Sequence, residues 1–340
     1  MVESLYSTIY FIKGGISLRE QIKQPKKMSF DEFKQTYSPF FIDENYENLV
    51  DSEIDSIVDS LYKNMKEIGT IEGLMDYIQS DEESLANILS LLGFSAEKFM
   101  RITSMFRMTQ GDNFNTEWKL SQIRAKMLTN SAFANKICRL LLNGASDEEF
   151  SDTIPKFYLD NLILDERTLQ QLTDKKRLKR LVKQKRDGKY NNDVGDRVED
   201  LIEARLIKLG EKYGITYERE KFVPWIARNM DFTIPNNNDP YVIIEVSYQI
   251  TTSSAQTTKR EVEVKTSEEI RRHNIQNGKD IAFVNFIEGG GWLGRQSDMR
   301  KLVHCSDYVI NINTLDMLES IIVKHVPDKF FTKEKPELID

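Results

Sequence analysis

Ile54, Ile57, Val58, Leu61 and Met65 recur at steps of three and four, which is the buried stripe of one helix. SLANILSLLGF and SAEKFMRITSMF continue the pattern, with Gly93 as a helix stop and Ser95 followed by Glu97 as a helix start. TEWKLSQIRAKMLTNSAFANKICRLLLNG reads as one or two more helices ending at Gly144. From about residue 50 to 165 the chain is therefore expected to be helical, without a repeat, and its Met and Phe residues fall at core positions. After residue 190 the texture changes. VGDRVEDLIEARLIKLGEKYG predicts an amphipathic helix closed by Gly214. ITYEREKFV, NMDFTI and YVIIEVSYQITT read as strands, with NNNDP as the turn between the last two. TTKREVEVKTSEEIRRHN then reads as a helix, KDIAFVNFIEGGGW as a strand running into a glycine turn, CSDYVININ as a last strand and TLDMLESIIVK as a closing helix. That order predicts an α/β core with a mixed sheet.

A chain of 340 residues has room for two domains, and 40% apolar content supplies their cores. The expected division is a helical domain over 1–165 for DNA recognition or dimerisation, a basic linker or helix over 166–190, and the sheet-bearing core over 191–340. No stretch approaches a membrane span, and the early run LYSTIYFI is too short and too polar for one. Two distant cysteines, Cys138 and Cys305, fit buried thiols in a reduced cytoplasm rather than a disulfide framework. His273, His304 and His325 show no metal-ligand spacing. The net charge of −7 speaks against a nucleic-acid partner until its distribution is considered. Residues 43–59 hold seven acidic side chains and no basic one, whereas residues 175–189 hold nine basic and one acidic. The second run is either a solvated helix face or a grip for phosphates.

The candidate chemistry lies at the hairpin. Asp231 opens the run NMDFTI, and Glu245 falls in the middle of the apolar YVIIEVSY. Carboxylates in such a setting are costly unless a cation, a metal or a hydrogen-bond network answers them. Two acids on neighbouring strands can converge on one hard divalent cation such as Mg²⁺, with the Val246 carbonyl placed to add a third oxygen. Strand alternation puts Glu245, Ser247, Gln249 and Thr251 on one face and Val246, Tyr248 and Ile250 on the other.

This arrangement resembles the PD-(D/E)xK nuclease superfamily, in which an Asp and a Glu bind the metal and a Lys two residues after the Glu serves the attacking water. Here the lysine slot holds Ser247, so the resemblance implies a lysine supplied from the following helix, Lys259 ahead of Lys265, or a water held by Gln249. Many such nucleases carry a glutamate one turn past a glycine on the preceding helix, a relation that Gly195 and Glu199 share. The order NNDVGDRVEDLIEARL, MDFTI, IIEVSY, AFVNFIEGGGW, with Arg295 close behind, is similar to type II restriction endonucleases of the Dpn II and Mbo I kind. That resemblance implies an Mg²⁺-dependent, site-specific nuclease acting on double-stranded DNA. It would be a homodimer, with a companion methyltransferase acting on the same site. Lys179, Arg180, Lys183, Lys185, Arg186 and Arg295 would bind the DNA. A repair or transposition nuclease of the same fold, or a DNA-binding module with an inactive core, would share these features.

Overall fold

The computed structural model describes residues 20–64, 67–109, 117–171, 174–250 and 255–340; the LYSTIYFI run, Met65 and Thr251 lie outside the described residues. The chain divides into two compact units. Residues 42–190 form one, and residues up to 41 join 191–340 in the other. The expected boundaries are at 165 and 190; the compact units divide at 41 and 190, the segment before residue 42 grouping with the sheet.

Strand β1 (Gln21–Lys23) and helix α1 (Phe30–Thr36) precede the helical unit. That unit contains α2 (Glu44–Asn64), α3 (Ile71–Ser80), α4 (Ser84–Leu91), α5 (Ala96–Thr109), α6 (Leu120–Thr129) and α7 (Ser131–Asn143). The short helices α8 (Glu148–Ser151), α9 (Lys156–Leu159) and α10 (Glu166–Gln171) come next. Of the stripe on α2, Ile54, Val58 and Leu61 are buried and Ile57 is half-buried. The stretch ending at Gly144 is two helices because Asn130 serves both. Its amide donates to the Lys126 carbonyl (2.9 Å), and its side chain accepts from the Phe133 amide (2.9 Å).

Helix α11 (Lys175–Tyr213) is longer than the sequence suggested: the basic run and the amphipathic helix after it are one element. Strands β2 (Glu218–Val223), β3 (Arg228–Ile234) and β4 (Val242–Tyr248) lead into α12 (Ala255–Asn277) and β5 (Ala282–Glu288). Then come α13 (Gln296–Cys305), β6 (Tyr308–Ile310), α14 (Met317–His325) and β7 (Glu337–Ile339). The five-stranded sheet has the order β2-β3-β4-β5-β6, antiparallel from β2 to β4 and parallel from β4 to β6. One face packs Phe232, Ile244, Val246 and Phe286 against Val198, Ile202 and Leu206 of α11 and Leu318 and Ile321 of α14. The other packs Met230, Ile243, Phe283 and Ile287 against Ile270 of α12 and Met299 and Leu302 of α13. A mixed sheet between helical layers is the expected α/β arrangement.

One irregularity positions the site. Met230 and Phe232 are two apart, so a regular strand would point both to one face, yet they lie in opposite cores. The alternation slips at Asp231. On β2, Glu220 stands opposite this point with a left-handed φ of 52°, a conformation that costs a non-glycine residue ~1–3 kcal/mol. The paired register of β3 with β4 begins only at Phe232, so the strands part at the aspartate.

The chain ahead of α2 is fastened to this sheet. Gln21, Ile22 and Lys23 pair in parallel with Glu337, Leu338 and Ile339. Phe30 and Phe33 enter the core on the α12–α13 face. The Tyr37 hydroxyl donates to the Gly289 carbonyl, and the Ser38 amide donates to Glu288 Oε1 (2.9 Å). Gly289 itself has φ 99° and comes so close to Gln249 that a Cβ would lie 2.4 Å from the Gln249 carbonyl, which accounts for the glycine turn after β5.

Candidate active site

Asp231 occupies the gap where β3 and β4 part. Its Oδ2 accepts the Val246 amide at 2.6 Å, a side chain taking the place of a ladder carbonyl. Glu245 lies across the gap on β4, only 1% exposed. Its Oε2 accepts from Arg228 Nη2 at 2.8 Å, while its Oε1 is buried without a hydrogen-bond partner among the described residues. Arg228 also donates to the Thr266 hydroxyl of α12 (3.0 Å). Burial, reinforced by the negative charge of Asp231 and opposed by Lys259 and Arg228, pushes the Glu245 carboxyl up to about 8.

Lys259 comes from the first turns of α12 and donates its ammonium to the Val246 carbonyl. It thereby reaches the strand beside Glu245 from a helix rather than from the slot two residues on. Burial works against its charge, but the carboxylates of Glu263, Glu245 and Asp231 outweigh that and hold the ammonium above the ordinary lysine range. Ser247, in the lysine slot, is buried and donates to Glu263 Oε1 of α12 at 3.3 Å. Its carbonyl accepts from the indole of Trp292 (3.2 Å), which is fully buried behind the glycine turn. Gln249 is bound through its backbone to Glu288 and Gly291 (3.1 and 2.8 Å), and its side chain has no hydrogen-bond partner among the described residues. Lys265 is directed elsewhere: its ammonium is 3.8 Å from Glu269 and mostly exposed.

Glu199 of α11 stands on the α11 side of the same neighbourhood. Burial and the charge of Asp231 raise its pKa, countered by Arg219 at 3.1 Å. Arg219 also binds Asp200 (2.8 Å) and Glu203 (2.6 Å), so Glu199 belongs to an ionic cluster centred on Arg219. Arg295 is tied as well, 3.3 Å from the Thr257 hydroxyl and 3.7 Å from the buried Asp298, which a second arginine, Arg260, approaches at 3.3 Å.

The basic run lies against the acidic run of α2. Lys175, Lys179 and Lys183 pair with Asp59, Asp55 and Asp51 of α2 at 2.8, 2.6 and 2.8 Å, and Arg186 pairs with Glu53. For the three lysines the numbers rise along α11 as they fall along α2, so two antiparallel helices are laced by opposite charge. Tyr190 continues the lacing by donating to Glu47 and stacking on Tyr46. Lys185 donates to the Ala86 carbonyl, and Arg180, exposed, makes no ion pair among the described residues. Four of the nine basic side chains of the run are thus answered by the acidic run. Replacing Lys179 and Lys183 with Gln is expected to lower the melting temperature, more at low salt than at high, because exposed pairs are screened. A melting curve identical to the parent's at every salt concentration would show the lacing to be idle.

A divalent cation fits the oxygen chemistry of this place. Asp231, Glu245 and the Val246 carbonyl are hard donors, and the orphaned Glu245 Oε1 is a buried acceptor in want of a positive partner. The Val246 carbonyl already accepts from Lys259. Among the described residues no three His, Cys, Asp or Glu side chains gather as a metal-binding group. Glu245 sets the sign of the pH dependence. A carboxyl raised by folding lends stability that is complete below the unfolded value of 4.5 and is lost as pH rises through about 8. The cation-free protein is therefore expected to lose stability across that window, with Glu245→Gln flattening the loss. Cation affinity should climb over the same range, because the proton must leave first. Calorimetry in buffers of different ionisation enthalpy checks this by a release of about one proton per cation near neutral pH.

Residues 168–326, a little under half of the chain, match the family model described as the BanI C-terminal domain, a restriction endonuclease domain. The matched segment takes in α11, the five-stranded sheet, α12 and α13, and so both candidate carboxylates. The match supports a type II restriction enzyme, hence a nuclease that binds DNA, and it falls on the BanI domain rather than on the Dpn II and Mbo I kind. No curated protein and no solved structure matches the chain. No helix among the described residues is long and apolar enough to cross a membrane.

Proposed function

We propose that the chain is a type II restriction endonuclease that hydrolyses phosphodiester bonds of double-stranded DNA at a short specific sequence, with Mg²⁺ held by Asp231, Glu245 and the Val246 carbonyl. The observation that carries the reading is Lys259. A lysine from α12 ends at the Val246 carbonyl, between the two acids' strands, where a nuclease of the PD-(D/E)xK type needs a cation. When bound, the metal supplies charge neutralisation at the scissile phosphate and lowers the pKa of a bound water.

The chain's own residues then divide the remaining work. Lys259, held charged, is a proton donor and an electrostatic partner rather than a base; it orients the attacking water and offsets charge growing on the phosphate. Glu245 keeps one carboxylate oxygen committed to Arg228, and the other is buried without a hydrogen-bond partner among the described residues. Gln249, with a free side-chain amide at the end of β4, is placed as a further contact for water or phosphate. Glu199 tempers the charge of Arg219 beside the aspartate strand. Arg180 and Arg295 remain as candidates for backbone phosphates, which carry affinity without sequence information. A palindromic target calls for a two-fold homodimer, one active site per strand, and a companion methyltransferase protecting the same sequence.

A plasmid digest with Mg²⁺ tests the reading, with discrete bands as the expected result. Nicking without discrete bands would point to a repair or transposition nuclease of the same fold, and intact plasmid with DNA binding retained would point to an inactive core.

A further inference from the structure

The residue that this chemistry leaves unexplained is Glu263. It lies one turn past Lys259 on α12, is fully buried, and has one carboxylate oxygen, Oε2, without a hydrogen-bond partner among the described residues. Its other oxygen accepts from the Ser247 hydroxyl at 3.3 Å and stands 3.8 Å from the Lys259 ammonium. A buried carboxylate with a spare lone pair is costly, so its retention calls for a partner that gains from it. A role as third metal ligand does not suit it, because no three such side chains gather as a metal-binding group among the described residues. The neighbour that needs it is the lysine. A lysine in the slot two residues past Glu245 would be aimed by the strand itself, whereas Lys259 arrives on four rotatable carbons from a helix and has no such guide.

We propose that Glu263 is a positioning residue that fixes the Lys259 ammonium at the Val246 carbonyl, and that Ser247 is the strut that fixes Glu263. The serine in the lysine slot is then the other half of the lysine's relocation. A short hydroxyl leaves room for the helix-borne side chain and ties strand to helix through the carboxylate. This assignment rests on the nuclease reading only for its catalytic consequence; the contact itself is a property of the folded chain.

The test is therefore arranged in two arms. In the first, the purified protein is treated with formaldehyde and a mild borohydride reductant, and methylation of each lysine is followed by peptide mass spectrometry. Lys265, exposed on the same helix, is the internal reference. In the parent, Lys259 should lag well behind Lys265. Glu263→Gln keeps the size and replaces the carboxylate that stands beside the ammonium, and it should release Lys259 from its contact and speed its methylation relative to Lys265. Ser247→Ala should give a smaller rise, and Glu263→Asp, which keeps the carboxylate one methylene further back, an intermediate one. A Lys259 to Lys265 ratio unchanged from the parent in Glu263→Asp and Ser247→Ala would overturn the assignment, even if Glu263→Gln fails to fold. In the second arm, kcat for cleavage should fall ~10- to 100-fold in Glu263→Gln with KM for DNA unmoved, a smaller loss than removal of the ammonium itself. A parent that cuts no DNA would defeat the nuclease reading while leaving the labelling result to stand or fall by itself.

Discussion

Asp231→Ala and Glu245→Ala are each expected to abolish cleavage while leaving specific DNA binding intact. The two carboxylates sit where β3 and β4 separate, and Glu245 has a reason to be charged only when a cation is present. Glu245 is raised to about 8 by burial and by Asp231, and its Oε1 has no protein partner among the described residues. A bound divalent ion supplies several kcal/mol of transition-state stabilisation, and each ~1.4 kcal/mol is a factor of ten in rate. Loss of either ligand should therefore cost at least about 1,000-fold in kcat, on the same scale. Binding measured without metal should survive or tighten, because a negative charge facing phosphate has been removed. For Glu245 the control is Glu245→Gln, since alanine also strands Arg228, which holds Oε2 at 2.8 Å. Cleavage within tenfold of the parent by either alanine variant would remove that carboxylate from the active site.

The second large effect is expected at Lys259. Lys259→Ala should lower kcat by ~100- to 10,000-fold, the range for a positioned proton-transferring or charge-stabilising group. Lys265→Ala, altering an exposed side chain that lies 3.8 Å from Glu269, should cut like the parent. The sharper experiment returns the lysine to the strand. In Ser247→Lys combined with Lys259→Ser, the new ammonium starts from a position already facing Glu263, the carboxylate that Lys259 now approaches at 3.8 Å. Activity should recover by at least tenfold over Lys259→Ala. A folded double variant as inactive as the single one would mean that the helix route delivers something the strand route does not. Normal cutting by Lys259→Ala would instead leave Gln249 and the metal to hold the water.

The strands and their order were legible because a sheet buried on two faces leaves long apolar runs bounded by turn residues, and NNNDP, Gly214 and the glycines after Glu288 supply the boundaries. Asp231 and Glu245 stood out for the same reason, as charges in apolar runs. Arg228 and Glu263 did not. Helix α12 buries Gln256, Glu263, Thr266 and Ser267, so the face it turns inward is polar and escapes any search for apolar periodicity. A Lys and a Glu four apart on a helix ordinarily mark a solvent-exposed pair. Arg228 precedes Asp231 by three, which in a regular strand would send the two to opposite faces; the slip at Asp231 and the left-handed Glu220 bring them to one site. The lacing of α2 to α11 was hidden for another reason. Each charge run was visible, but they lie more than a hundred residues apart, and nothing in either says that its counterions belong to the same chain.

The return of the early segment to the sheet also governs how the protein is made. Residues 42–190 are an insertion within the other unit, whose β1 waits for β7 at residues 337–339. On the ribosome the inserted helices emerge together and can fold while the rest is still being translated. The sheet cannot: β4 needs β5, Glu288 needs both Ser38 and Ile312, and β6 arrives only at residue 308. Nascent chains arrested before β5 should therefore be compact in their inserted half, protease-sensitive in the remainder, and harmless to the DNA of the cell that is making them.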